Sequence, residues 1–210
     1  IIYDIVDLVE GRCRLRQALI RDRFLPELYL LPAAQSRDKT ALSPADMVRV
    51  CASLRGECDL VLIDSPAGIE SGFRNAVAPA DEFVLVTTPD AASLQDVDRV
   101  LGILESESRQ VLGLIINRVH VRLVKRKAMP SADDILRTLS VRLIGLVLED
   151  EEVLIANGRG VPVAHDPTCL SGKAFHDIAR RMLGESVPFA PEFGHKSFWE
   201  RLPFGLGRNR

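Results

Sequence analysis

The chain has 210 residues and a mass of 23.2 kDa. With 47% hydrophobic and 27% charged side chains it has a globular composition that excludes intrinsic disorder. Its formal net charge of −2 gives no global drive toward nucleic acid. Cys13, Cys51, Cys58 and Cys169 are scattered without metal-ligand spacing, and no apolar run approaches the ~20 residues of a membrane-spanning helix. With no signal-peptide pattern, a reducing cytoplasm is the expected compartment. The first residue is Ile1 and the first methionine is Met47, so the chain reads as a fragment.

In chain order, Leu28–Leu31, Leu60–Ile63, Phe83–Val86, Val111–Ile116 and Leu143–Leu148 are short runs rich in Val, Ile and Leu. Such runs predict strands buried on both faces, as in a parallel sheet. Helical stripes lie between and after them. Met47, Val50, Cys51 and Leu54 follow the Ser43-Pro44 start signal. Leu94, Val97, Leu101 and Leu104 form the next stripe, and Ile135, Leu136 and Leu139 follow Ser131. Phe175, Ile178, Ala179, Met182 and Leu183 form the last, closed by Gly184. The alternation predicts an α/β, doubly wound, mostly parallel sheet. Ligands of such sheets bind at the carboxyl ends of the strands.

Chemistry is therefore sought after each apolar run. Leu60–Ile63 ends in Asp64, followed by Ser65-Pro66-Ala67-Gly68. A strand-terminal aspartate either caps the βα turn or holds magnesium or its water, as in a Walker B strand. The turn after it can respond to a γ-phosphate. Thr87, Thr88 and Asp90 suffice as a strand-to-helix junction. Asn117-Arg118 and Glu149-Asp150 follow the next two runs. Asparagine can form a two-pronged hydrogen bond to an adenine edge, and arginine can stack on a base. Each alone reads as a turn residue, but their shared edge makes the group a candidate base site.

Gly172-Lys173-Ala174 is not a phosphate loop, because Pro167 and Ala174 occupy the first glycine and hydroxyl positions. Gly158-Arg159-Gly160 lacks the third glycine of a dinucleotide fingerprint and reads as a helix stop. The four histidines are dispersed and carry no assignment. After Gly184, Pro188, Pro191 and Gly194 mark a linker. The last segment, His195 to Arg210, carries a net charge of +3. Phe198, Trp199 and Leu202 share one side of a short helix, with Lys196, Arg201, Phe204 and Leu206 around them. A basic aromatic segment of this kind suits an anionic lipid surface. The alternative is a tail whose aromatics pack back on the body. Pro203 interrupts the helix after barely two turns.

Taken together, these residues resemble the MinD family of deviant Walker A ATPases. The resemblance is carried by Tyr3-Asp4, Gln17 to Asp22, Leu30 to Lys39, Asp64 to Glu70, Asp81-Glu82 through Pro89, and Asp96 to Val100. It continues through Asn117 to Val119, Gly145 through Asp150, and Ala156-Asn157 through Val163. ParA-type partitioning and flagellar-number ATPases compete most closely. The Leu30 to Lys39 run and the tail favour MinD.

The resemblance implies a septum site-determining ATPase, dimeric with ATP, on the cytoplasmic face of the cell membrane. Its implied partners are the division inhibitor MinC, the topological regulator MinE or an equivalent, and anionic lipid, with no nucleic acid. Asp64 would act indirectly on Mg, with Ser65 to Gly68 as switch. Asn117, Arg118, Glu149 and Asp150 would lie on the adenine side, and Asp96 on the dimer and partner surface. The implied organisation is a P-loop NTPase-type domain over 1–187, a linker over 188–194 and a membrane-targeting tail over 195–210. Leu148, where the family usually has proline, and Pro203 depart from the pattern. Family members begin with a βαβ unit carrying the phosphate loop, which is missing here. The expectation is weak or absent ATP and Mg binding and no hydrolysis by this chain. Its alternative is a non-enzymatic scaffold that binds membrane and partners.

Overall fold

A computed structural model describes residues 2–33 and 42–189. The chain divides into two compact units, Ile1–Leu85 with Asp90–Leu112, and Val86–Pro89 with Gly113–Arg210. A three-stranded sheet has the order β3-β4-β5, with β3 at Glu82–Thr87, β4 at Gln110–Val119 and β5 at Leu143–Leu148. β4 and β5 run parallel, as expected for apolar strands buried on both faces.

The first unit begins with α1 (Ile5–Val9), opened by a capping box in which Asp4 and Asp7 each accept from the other's backbone N–H. Short α2 (Leu15–Ala18) follows. β1 (Ile20–Arg21) and β2 (Tyr29–Leu30) then form a small antiparallel hairpin. α3 (Pro44–Leu54) starts on Ser43, whose hydroxyl accepts from the Asp46 N–H, with Pro44 in its first turn. Ile5, Val6, Val50 and Leu54 form one small core, with Leu15, Leu31 and Met47 packed on its border. α4 (Ser71–Val77) packs on α3. α5 (Ala91–Ser106) is capped by Asp90, whose carboxylate accepts from the Ser93 N–H at 3.0 Å. Its stripe Val97, Leu101 and Leu104 is buried as the 3.6-residue period requires.

In the second unit, α6 (Val121–Lys125) and α7 (Ala132–Leu139) connect β4 to β5. α8 (Glu151–Gly158), a short 3-10 turn (Val163–His165) and α9 (Leu170–Met182) follow β5. α9 lies against β5 at Gly145, where an added Cβ would come within 2.5 Å of the Ile178 side chain. At the other end of α9, a Cβ on Gly172 would meet the Asp166 carbonyl at 1.9 Å. Two missing side chains thus set how closely this helix approaches.

Two predicted strands differ. Leu28–Leu31 shrinks to the two residues of β2, antiparallel and exposed, not a buried parallel strand. Leu60–Ile63 forms no strand, and Leu60 and Leu62 are 64% and 74% exposed. A strand is defined by its ladder, and among the described residues nothing hydrogen-bonds to this run. The α9 stripe is also narrower than its period suggested. Ile178 is buried, but Leu183 is 74% exposed and Phe175 lies outside the core. Arg181 takes a place on the buried face instead.

Candidate functional site

In the first unit, Asp64 is exposed and has no hydrogen bond or ion pair among the described residues. The turn after it is more constrained. The Ser65 hydroxyl donates to the Pro66 carbonyl at 3.2 Å. The Pro66 ring occupies the space above Gly72 in α4, where a Cβ would stand 2.6 Å from Pro66 Cγ. Gly68 has φ +91°, a conformation that favours glycine. Ala67 lies exposed between these two fixed points. Asp64 therefore stands at the open end of a turn whose far side is seated on a helix.

No group of three or more potential metal ligands occurs among the described residues. One exposed carboxylate fits the water-mediated contact that Mg²⁺, reluctant to lose its hydration, commonly makes with protein. No phosphate-loop motif occurs within the 210 residues.

In the second unit, Asn117 and Arg118 occupy an irregularity in β4. The parallel register shifts between Ile116 and Val119, and Arg118 has φ +57°. Asn117 Oδ1 accepts from the Arg118 N–H at 2.9 Å, which supports this left-handed residue locally. A bulge of this kind re-aims side chains at the end of a strand. Arg118 Nη2 lies 3.1 Å from Glu149 Oε1. The Glu149 N–H donates to the Val119 carbonyl at 3.0 Å, fixing the approach of the segment after β5. Arg118 and Glu149 both remain exposed to an incoming ligand.

Asp150 has a different setting. One carboxylate oxygen accepts from the Glu152 N–H at 3.0 Å and caps α8, while the other accepts from the Ser171 N–H at 3.4 Å in the first turn of α9. Partial burial acts to raise its pKa, but these donors outweigh burial and hold the carboxyl below its ordinary value. Ser171 Oγ is fully buried without a hydrogen bond of its own, near enough to Asp150 to favour the charged form. Asp150 thus ties two helix starts together behind the exposed Arg118–Glu149 pair.

Asp96 is exposed on α5 and pairs with Arg99 one turn later at 3.5 Å. Lys196, Phe198, Trp199, Arg201, Leu202, Phe204 and Leu206 lie outside the described residues, as does most of the Leu30 to Lys39 run.

Sequence reading missed two residues. Arg181 is 7% exposed and donates to the carbonyls of Ile144, Val187 and Pro188 at 3.0–3.1 Å. Its guanidinium stacks 3.9 Å from the Phe189 ring centroid. Its place in the apolar spacing of α9 was the available signal. Ser171 offered none, because its relation to Asp150 spans distant parts of the chain.

No family profile matches the chain. The septum site-determining protein MinD of Bacillus subtilis is 47% identical over 190 residues, spanning 90% of this chain and 71% of that protein. The Aquifex aeolicus MinC:MinD cell division protein complex contains a similar chain, with TM-score 0.82 and 37% identity over 90% of this chain and 76% of that one. MinD from Pyrococcus horikoshii, complexed with Mg-ADP, superposes with TM-score 0.75 and 25% identity over 87% of this chain and 74% of that one. On this likeness over nine-tenths of its length, the chain belongs to the MinD family of septum site-determining proteins.

Proposed function

We propose that this chain serves in septum-site determination as a MinD-type nucleotide-dependent switch on the cytoplasmic face of the cell membrane. The observation carrying the nucleotide reading is the bulge that presents the Asn117 amide beside the exposed Arg118–Glu149 pair. Asn117 has hydrogen-bonding capacity beyond its contact with the Arg118 N–H, and Arg118 offers a planar cation to a base. Glu149 holds that cation in place, and Asp150 fixes the segment after β5. Asp64 acts on Mg²⁺ through water, and Ser65 to Gly68 form the switch turn. Bound Mg²⁺ supplies charge neutralisation to the nucleotide phosphates.

The partner reading follows the MinC:MinD neighbour. In this reading the chain dimerises with ATP, uses the α5 surface including Asp96, and meets MinC and MinE or an equivalent regulator. No helix among the described residues is long and apolar enough to cross a membrane. Membrane contact is assigned to the tail, through Lys196, Phe198, Trp199, Arg201, Leu202, Phe204 and Leu206, with no role for nucleic acid.

Without a phosphate loop within its 210 residues, the chain by itself binds Mg-ATP weakly and hydrolyses none. Isothermal titration with Mg-ATP tests this directly, and tight binding would overturn it. A second reading is a non-enzymatic scaffold that retains lipid and partner binding. A ParA-type partitioning or flagellar-number ATPase is the remaining alternative, and the partitioning reading requires DNA binding. Vesicle co-sedimentation with and without His195 to Arg210 separates the partitioning reading from the other two. Unchanged lipid binding after deletion would overturn the tail assignment.

A further inference from the structure

Between Gly113 and Ser131 the chain carries five cations, Arg118, Arg122, Lys125, Arg126 and Lys127, and no acid. Arg118 is held by Glu149. The other four are exposed, and none pairs with a carboxylate among the described residues. They fall on α6 and the turn after it. Cations near a helix C-terminus complement its carbonyl dipoles, yet one or two suffice for a helix of five residues.

The turn itself is a Schellman stop. The Lys127 N–H donates to the Val124 carbonyl at 3.0 Å, and the Ala128 N–H to the Leu123 carbonyl at 2.9 Å. Lys127 stands at the left-handed position with φ +56°, where glycine is the favoured residue. A lysine is thus kept where it is conformationally disfavoured, and its charge has no partner. Beside it lies an open cavity of about 480 Å³, lined by Val124, Lys127, Met129, Pro130, Ser131 and Asp134. Val121, Leu123, Val124 and Met129 are only half-buried in this region.

We infer that the α6–α7 turn is a second membrane contact, a basic surface that docks on the phosphate headgroups of an anionic bilayer. Four clustered cations beside half-buried aliphatic side chains fit such a surface. Nucleic acid fits it less well. No Phe, Tyr or Trp occurs from Gly113 to Ser131 to stack on bases, and a five-residue helix is too short to follow a groove. The contact acts in addition to the tail and does not depend on it.

The test uses the full chain and vesicles of equal phosphatidylglycerol and phosphatidylcholine. Arg122→Gln/Lys125→Gln/Arg126→Gln/Lys127→Gln should bind roughly six hundredfold more weakly, at about fivefold for each of four cations placed at an anionic surface. Lys127→Gly should lose about fivefold while unfolding at the same temperature or higher, since glycine relieves the left-handed backbone. Should the fourfold variant not fold, Lys127→Gly alone decides. Wild-type vesicle binding by the folded variants would overturn the proposal, as would a loss confined to duplex DNA. Phe198→Ala/Trp199→Ala, measured in parallel, reports on the tail: vesicle binding undiminished from wild type there overturns the tail reading and leaves the α6 result standing.

Discussion

Arg118 Nη2 lies 3.1 Å from Glu149 Oε1, joining the penultimate residue of β4 to the first residue after β5. Both side chains face solvent, so the pair contributes little to stability, as exposed ion pairs generally do. Arg118→Ala should change unfolding free energy by under about 0.5 kcal/mol. In an amide NMR titration with Mg-ADP, wild type should shift at Asn117, Arg118, Glu149 and Asp150, and the variant should not. Equal shifts in both would remove Arg118 from the adenine side.

Asp150 sets a pH dependence. Burial acts to raise the pKa of its carboxyl, but the Glu152 N–H and then the side chain and N–H of Ser171 hold it below the ordinary carboxylate value. A depressed folded pKa stabilises above the unfolded value, ~3.9, and that stabilisation is lost as pH falls through the folded one. Asp150→Asn should therefore flatten the stability profile below about pH 4. Asp150→Ala should cost about 1–2 kcal/mol at neutral pH, the scale of a lost helix cap. Urea titrations at a series of pH values would show both effects.

Arg181 satisfies three main-chain carbonyls that its removal would leave without this donor. Arg181→Ala should cost about 2–4 kcal/mol, from unsatisfied carbonyls and lost packing. Arg181→Lys should recover only part, because an ammonium lacks the planar fork that reaches both Ile144 and Pro188. Limited proteolysis should also cut faster near Val187–Phe189 in the alanine variant. Equal cutting in wild type and variant would show that the contact does not hold this segment.

Gly145→Ala places a Cβ within 2.5 Å of Ile178 and should destabilise by about 1–3 kcal/mol, as overpacking does. The double variant with Ile178→Val should recover part of that loss. Additive losses in a double-mutant cycle would argue against direct contact.

How much of this was legible in the sequence follows from what each feature depends on. β3 to β5 and the stripes of α3, α5 and α7 rest on hydrophobic period, which the sequence states directly. Asn117, Arg118, Glu149 and Asp150 stood out as candidates because strand ends are where parallel sheets place ligands, and the structure pairs Arg118 with Glu149. The bulge at Arg118 was not legible, since it arises from the register of β4 against β5. Leu60–Ile63 misled because apolar β-branched content reports a preference for burial, while a strand also needs a hydrogen-bonded neighbour. Asp150's second oxygen and Arg181's bond to Ile144 depend on contacts 21 and 37 residues away, which no local pattern encodes.

The position of Arg181 has a mechanical consequence. Phe189 is the last described residue before the tail, and the guanidinium against its ring is also hydrogen-bonded to Ile144 in β5. A pull on Phe189 would therefore bear on β5, through the Ile144 carbonyl, as well as on the last turn of α9, in which Arg181 stands.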